Sequence, residues 1–158
     1  QFLLIIIGDK EINFRTKLFT EKFLFANPIP QSQELIDYYS CADLYIQSSN
    51  IETWGLAISE ALSCGLPVIA SSVGAIPEQI KGFNRGKTND HLNPHSIDRA
   101  NGLLFEKKDE KSLFEKIMWM YKNKDQMSLL SYNARYFAKM ELDMNNRISQ
   151  FINYYDSL

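Results

Sequence analysis

The order of its apolar segments constrains the fold of this chain more than any other feature. Short, continuously apolar runs alternate with segments compatible with helices, and we predict one strand in each run: 2–8, 22–26, 43–48, 66–71 and 102–106. A strand that is apolar on both faces is typical of a parallel sheet covered by helices. The sequence therefore predicts an α/β fold, with a Rossmann-like doubly wound parallel sheet flanked by helices.

The residues after the last strand predict two amphipathic helices, at 110–123 and from about 126 to 155, that pack on the edge of the sheet. The polar segment 81–101 is rich in Gly, Asn and Pro, and it predicts a surface loop insertion. With 158 residues and 45% hydrophobic content, the chain is long enough for one domain, 1–158.

The composition excludes some classes of protein. A formal net charge of −2 argues against nucleic-acid binding, which usually needs a concentrated basic excess. Cys41 and Cys64 lie in apolar segments without metal-ligand spacing, which favours reduced core thiols. No apolar run approaches the roughly 18 residues that a membrane span needs. We expect a cytoplasmic protein, at most peripheral at the inner face of a membrane.

Two features of the segment 81–101 have alternative interpretations. His91 and His95, with Asp90 and Asp98 nearby, have the spacing of metal ligands, but they flank Asn and Pro in a predicted loop. We favour ordinary polar loop residues and no metal site. Four cations of the same segment are either solvated or in contact with an anionic lipid surface: Lys81, Arg85, Lys87 and Arg99.

An open parallel sheet binds its ligand at the carboxyl ends of its strands, so candidate site residues follow the predicted strands. One such end leads into IETWGLAISEALSCG (51–65), in which a small, apolar helix starts near Gly55. Glu52 stands in the loop before this helix, and Glu60 lies in its middle. The free backbone amides and the positive dipole end at the helix start favour a phosphate.

Glu60 has two interpretations. Because the helix is apolar on most of its circumference, we expect it to pack deeply against the sheet, where a carboxylate needs partners. In a structural role, Glu60 lies on the single exposed stripe or meets an Arg or Lys. In a functional role, it accepts two hydrogen bonds from the vicinal diol of a ribose. We favour the ribose, because Glu52, the helix start and Glu60 then follow one ligand: sugar, diphosphate, ribose.

The segment ETWGLAISE (52–60) is similar to the E-x7-E signature of the retaining glycosyltransferases of family four, whose GT-B architecture has two facing Rossmann-like domains. A lone E-x7-E is a weak signal. Here, however, the flanking segments also resemble the family, in the same order: YSCADLYIQS (39–48), EALSCGLPVIAS (60–71), VGAIPE (73–78) and NGLLF (101–105). By this resemblance, the chain is identified as the C-terminal donor-binding domain of such an enzyme.

The resemblance implies a role for each motif position. Glu60 would bind the ribose, and Glu52, the implied catalytic residue, would contact the donor sugar and hold it against its diphosphate. Residues between the acids would meet the sugar and phosphate, the last three through backbone amides: Thr53, Trp54, Gly55, Leu56 and Ala57. The loop after the second strand would cradle the nucleobase: Asn27, Pro28 and Ile29. The family often has Gly-Phe where this chain has Thr-Trp, which leaves the donor sugar open.

The implied activity is transfer of a hexosyl group, with retention, from a nucleotide sugar, by default UDP-glucose, to a lipid, sterol or glycan. Family members add an Arg/Lys pair and an N-terminal acceptor domain that we do not find here, so we expect an inactive fragment of a longer chain. No Asp-x-Asp occurs in the sequence, consistent with a site that needs no metal or cofactor. The alternatives are a sugar-nucleotide epimerase of the same architecture and a non-catalytic nucleotide-binding module.

Overall fold

The computed structural model describes residues 3–8, 23–30, 32–83 and 91–157. The chain forms two compact units, Gln1–Tyr38 and Tyr39–Leu158. Each apolar run contains a strand, with narrower bounds than predicted: β1 (Leu4–Ile7), β2 (Phe23–Ala26), β3 (Tyr45–Gln47), β4 (Val68–Ser71) and β5 (Gly102–Phe105). Every strand pair among the described residues is parallel, so the α/β prediction is confirmed.

In the first unit, β1 and β2 form a parallel pair whose register runs from Leu4 opposite Phe23 to Ile7 opposite Ala26. The pair extends by one bond, because the Gly8 amide donates to the Ala26 carbonyl at 3.1 Å. Residues 27–30, the predicted nucleobase loop, follow β2 in an irregular conformation.

The second unit contains a three-stranded parallel sheet in the order β3-β4-β5. Every residue of β4 and β5 is buried, which explains why these segments are continuously apolar rather than alternating. The strands approach closely at Gly102, where a Cβ would lie 2.1 Å from the Val68 carbonyl oxygen. The strands β4 and β5 therefore form the enclosed part of this sheet.

Helices supply much of the rest of the chain: α1 (Ser32–Cys41), α2 (Leu56–Ser63), α3 (Ile76–Gln79), α4 (Glu110–Lys122), α5 (Lys124–Phe137) and α6 (Met144–Asp156). The core of the second unit combines side chains from strands, helices and the segment before β5: Ile69, Phe83, Ala100, Leu103, Phe105, Met120 and Leu130. Helix α4 packs on β4 and β5, so the predicted packing of the C-terminal helices on the sheet is confirmed for α4. Helix α5 adds Leu130 to the same core and packs on α2 and α4.

The prediction of one long helix from about 126 to 155 is wrong. Helix α5 ends at Phe137, a π-helical turn covers Ala138–Leu142, and Asp143 is extended before α6 begins. The physical reason is a cap: the Asp143 carboxylate accepts hydrogen bonds from the amides of Asn145 and Asn146 at 2.9 and 3.1 Å. An Asp side chain that satisfies the first amides starts a new helix at this point.

The prediction of a surface loop at 81–101 is wrong for several of its described residues. Phe83 and Asn93 are fully buried. The Phe83 ring packs edge-on against Trp119, with ring centroids 4.7 Å apart. The Asn93 side chain bonds both backbone groups of Leu104, accepting at 2.7 Å and donating at 2.9 Å. A polar residue can thus be internal when its amide replaces a strand neighbour. Residues 84–90 lie outside the described part of the chain.

The prediction of core thiols is wrong as well. Cys41 is exposed and Cys64 is half-buried, because both lie at helix ends, one closing α1 and the other following α2. Within the described ranges, no helix is long and apolar enough to cross a membrane.

Candidate donor site

The loop between β3 and α2 carries the first acid, and it is tied to the residues that end β4. The Ser71 hydroxyl donates to the Ser49 carbonyl at 2.6 Å, and the Ala75 amide donates to the Thr53 carbonyl at 3.2 Å. The first of these bonds fixes the loop to β4, which is fully buried, and the second fixes it to the residue before α3. The loop therefore lies at the carboxyl end of the sheet, where a ligand is expected.

Gly74 allows the closest approach in this region. Its φ is +53°, and a Cβ built on it would lie 1.8 Å from the Glu52 carbonyl oxygen. Such a contact is possible only without a side chain, and the left-handed conformation also favours glycine. Because Gly74 has no side chain, its backbone can lie directly against the backbone of Glu52. This close approach fixes the position of Glu52.

Glu52 is half-buried in this loop, and its carboxylate accepts a hydrogen bond from the amide of the next residue, Thr53, at 3.1 Å. No other hydrogen bond to this carboxylate is found among the residues that the structure describes. Trp54 beside it is also half-buried. Glu52 is therefore an accessible acid on a loop whose backbone is fixed by Gly74 and Ala75.

Helix α2 begins without a side-chain cap. Gly55 precedes it, and the Gly55 carbonyl accepts from the amides of Ile58 and Ser59 at 3.0 and 3.1 Å. In the described part of the chain, no partner is found for the amides of Leu56 and Ala57. Two such amides at the positive end of a helix dipole can bind an anion.

Gln79 supports this helix start from the buried side. The Gln79 side chain is fully buried at the end of α3. In the amide orientation that satisfies both its atoms, it accepts from the Gly55 amide at 3.3 Å and donates to the Ser59 hydroxyl at 3.1 Å. Gln79 did not stand out in the sequence, because its contacts with α2 are about 20 residues away along the chain.

Glu60 is exposed, as the structural interpretation allowed, and the expectation that its helix holds this carboxylate deep in the packing is wrong. The buried face of α2 consists of Ile58, Ala61 and Leu62, and Glu60 lies on the opposite side. Its Oε2 accepts a hydrogen bond from the Tyr39 hydroxyl at 3.1 Å. The acid is therefore available to a ligand, and it is also anchored at one oxygen.

Two tyrosines belong to this acidic region. Tyr39 and Tyr45 meet edge to face, with ring centroids 5.8 Å apart. Burial, and then the negative charge of Glu60 and Glu52, raises the pKa of Tyr45 to about 12. Burial and the neighbouring Tyr45 and Glu60 also raise the pKa of Tyr39. Both hydroxyls therefore stay protonated and act as donors at neutral pH.

Asn27, Pro28 and Ile29, predicted to contact the nucleobase, belong to the first unit, whereas the two acids belong to the second. Asn27 and Pro28 are exposed and Ile29 is half-buried. Their role at the base stays a prediction.

The histidines and cations of the segment 81–101 are only partly described. His91 Nε2 lies 3.6 Å from Glu106 Oε1, and both side chains are exposed. The described residues contain no group of three or more His, Cys, Asp or Glu that could hold a metal ion. Arg85 and Lys87 lie outside the described residues.

Comparison with known proteins identifies the family. Residues 1–137 match the family model of the glycosyl transferases of group 1. The chain belongs to this family. It is 38% identical over 82 residues to a sulfoquinovosyl transferase of Arabidopsis thaliana, a match that covers 52% of this chain and 16% of that protein. It is 37% identical over 76 residues to the D-inositol 3-phosphate glycosyltransferase of Thermobifida fusca, covering 48% of this chain and 17% of that one.

Solved structures support the fold of this group 1 glycosyltransferase chain. Sucrose-phosphate synthase from Thermosynechococcus elongatus superposes with a TM-score of 0.68 at 25% identity, covering 87% of this chain and 30% of that one. The Anabaena protein HepE in complex with UDP gives 0.73 at 21% identity, covering 99% of this chain and 41% of that one. These likenesses confirm the predicted Rossmann-like fold class. The chain spans less than half the length of these relatives.

Proposed function

We propose that this chain is the donor-binding half of a retaining glycosyltransferase that transfers a hexosyl group from UDP-glucose to an acceptor. One arrangement carries the proposal: the uncapped start of α2 lies between two acids, Glu52 in the preceding loop and Glu60 on the exposed side of the helix. A nucleotide sugar has the matching order of groups, namely sugar, diphosphate and ribose.

Each part of the ligand meets a different group of the chain. Glu60 accepts hydrogen bonds from the ribose diol, and bonds to a charged acceptor contribute about 1.5–3 kcal/mol each. The amides of Leu56 and Ala57, with the helix dipole, stabilise the diphosphate by about 0.3–2 kcal/mol. Thr53 and Trp54 border the donor sugar, and Trp54 reshapes its pocket.

Glu52 is the catalytic residue in this proposal, because it lies where the sugar folds back against its diphosphate. Transfer with retention proceeds by attack of the acceptor on the face that the leaving diphosphate vacates, and the diphosphate takes the acceptor proton. The chain supplies orientation and charge stabilisation. We propose no metal and no cofactor for this step.

The named complexes of HepE support the choice of donor, since that protein was solved with UDP, with UDP-glucose and with UDP and glucose. The family resemblance assigns the nucleobase, here uracil, to the loop of Asn27, Pro28 and Ile29, with contacts mainly through its main chain. The two curated relatives are named as a sulfoquinovosyl transferase and a D-inositol 3-phosphate glycosyltransferase, so neither name decides the acceptor.

We propose that an N-terminal domain of a longer protein binds the acceptor, which is a lipid, a sterol or a glycan. A bacterial cholesterol α-glucosyltransferase would be the sterol case, but no described residue argues for a sterol. The protein would act in the cytoplasm, and the exposed cation Arg99, with the half-buried Lys81, would allow peripheral contact with an anionic membrane.

A UDP-release assay on the full-length protein tests the proposal. UDP-glucose is supplied with and without a lipid, a sterol and a glycan acceptor. We expect acceptor-dependent release of UDP and a product of α configuration. Conversion of UDP-glucose without an acceptor would identify an epimerase instead, and binding of UDP without any turnover would identify a non-catalytic module.

The chain of residues 1–158 by itself should be inactive. Its contacts with ribose and diphosphate amount to a few kcal/mol, which corresponds to a dissociation constant on the order of 1 mM. Titration with UDP should shift the amide NMR signals of Gly55, Leu56, Glu60 and Asn27. Micromolar binding of UDP, or sugar transfer by this chain alone, would contradict the expectation that residues 1–158 form only part of the active site.

A further inference from the structure

Tyr39 contacts Glu60, the residue proposed to bind the ribose. It lies in the last turn of α1, and its side chain is only 8% exposed. Its hydroxyl is 3.1 Å from Glu60 Oε2 and 3.4 Å from the carbonyl oxygen of Ala57. The contact with Glu60 joins residues that are 21 positions apart, so it depends on the fold and not on local sequence.

An exposed glutamate has several side-chain rotamers, and most of them point away from any given ligand. No salt bridge to Glu60 is found within 3–8, 23–30, 32–83 and 91–157. The buried hydroxyl of Tyr39 is therefore the contact that fixes the direction of this carboxylate. It uses one oxygen, Oε2, and leaves Oε1 for a ligand.

Tyr39 is itself held in place. The Tyr45 ring packs against it at an interplanar angle of 75°. The Tyr45 hydroxyl donates to Gln47 Oε1, and Gln47 Nε2 donates to the Ser49 hydroxyl at 2.6 Å. A hydrogen-bonded chain thus connects the tyrosine pair with the loop that leads to Glu52.

We infer that Tyr39 is a positioning residue for donor binding: it holds Glu60 in the orientation that accepts the ribose diol. The inference rests on the proposed function. Tyr39 does not touch the ligand. It acts through Glu60, by removing the need to order that side chain when the nucleotide binds.

The test is Tyr39→Phe in the full-length protein, which keeps the buried ring and removes only the hydroxyl. Calorimetry measures the affinity for UDP and for a UDP analogue without the ribose 2′ and 3′ hydroxyls. We expect UDP to bind about 3- to 10-fold more weakly, with unchanged binding of the dideoxy analogue. The donor KM should rise while kcat is kept, because binding is lost equally in the ground and transition states.

Tyr132→Phe is the matched control, since it removes a hydroxyl from an exposed ring in α5 and should change neither affinity. A second check is the double variant of Tyr39→Phe with Glu60→Ala, which should bind UDP no more weakly than Glu60→Ala alone.

The outcomes separate the inference from the proposed function. If Glu60→Ala weakens UDP binding but Tyr39→Phe does not, or if Tyr39→Phe weakens both ligands equally, Tyr39 is not a positioning residue. If Glu60→Ala itself leaves UDP binding unchanged, the ribose role of Glu60 is wrong and the proposed function loses its main support.

Discussion

Helices α2 and α4 start in different ways, although both follow a loop that contains an acid. At α4, the Asp109 carboxylate accepts from the Ser112 amide at 2.9 Å, so the chain satisfies its own helix end. At α2, the cap position is Gly55, which has no side chain to offer. The nearby acid, Glu52, bonds the amide of Thr53 in the loop instead.

This difference separates a structural helix start from a binding one. A capping carboxylate fills the space in front of the first amides and contributes about 1 kcal/mol to stability. A glycine in the same place leaves the amides of Leu56 and Ala57 open to an anion from solution. On this interpretation, acids near α2 affect the ligand, and acids near α4 affect only the fold.

The largest effect should follow Glu52→Gln. In the full-length protein, this change removes the charge that orients the donor sugar, and we expect turnover to fall about 10²- to 10³-fold. Affinity for free UDP should change little, because Glu52 is assigned to the sugar. Steady-state kinetics and calorimetry with UDP measure the two quantities.

Asp109→Asn makes the same change of carboxylate to amide at the start of α4, and it should leave turnover intact. Equal losses of affinity for UDP and UDP-glucose in Glu52→Gln, with turnover unaffected, would show that Glu52 does not act on the sugar.

The next largest effect should follow Glu60→Ala. We expect UDP affinity to fall by about 1.5–3 kcal/mol, while thermal stability stays close to that of the parent, because the side chain is exposed and alanine favours a helix. Glu110→Ala, at an exposed acid in the first turn of α4, is the control and should not affect UDP. Unchanged affinity with lowered stability would make Glu60 structural.

A third variant, Gly74→Ala, addresses the backbone beneath Glu52. The new Cβ would lie 1.8 Å from the Glu52 carbonyl oxygen, so the loop must move. We expect a loss of stability on the order of 1–3 kcal/mol, together with weaker binding of UDP-glucose. Thermal unfolding and calorimetry measure both.

Gly65→Ala is the matched control for this backbone effect. Gly65 has a φ of +75°, also in the left-handed region, but its Cβ would make only contacts of 3.4 Å or more. It should cost stability without changing donor binding. If both variants bind UDP-glucose like the parent, the close approach at Gly74 does not position the donor loop.

The sequence was sufficient to predict the parallel strands, because burial on both faces leaves a continuous apolar run that can be read locally. It was also sufficient to single out Glu52 and Glu60, because their spacing belongs to one short motif. It could not show that Glu60 is exposed. The apolar residues of α2 suggested burial over most of its circumference, whereas the buried face is narrow and the helix start faces solvent at Leu56, which is 72% exposed.

The contacts that join distant segments could not be predicted. Tyr39 with Glu60, and Gln79 with the start of α2, are pairings created by the fold, and neither has a signal of its own in the sequence. The segment 81–101 was misjudged for the same reason, since a polar composition conceals that the Asn93 amide bonds to Leu104 inside the unit.

The smallest effect should come from Asp109→Ala, which removes the cap of α4. The Asp109 carboxylate is exposed and makes one bond to a helix amide, so we expect a loss of about 1 kcal/mol in the free energy of unfolding. Because no ligand is assigned to α4, affinity for UDP and turnover should equal those of the parent. Denaturant unfolding and calorimetry check the two halves of this prediction. A change in UDP affinity in this variant would mean that a capped helix start also acts on the donor. The difference between α2 and α4 would then no longer identify which helix start binds the ligand.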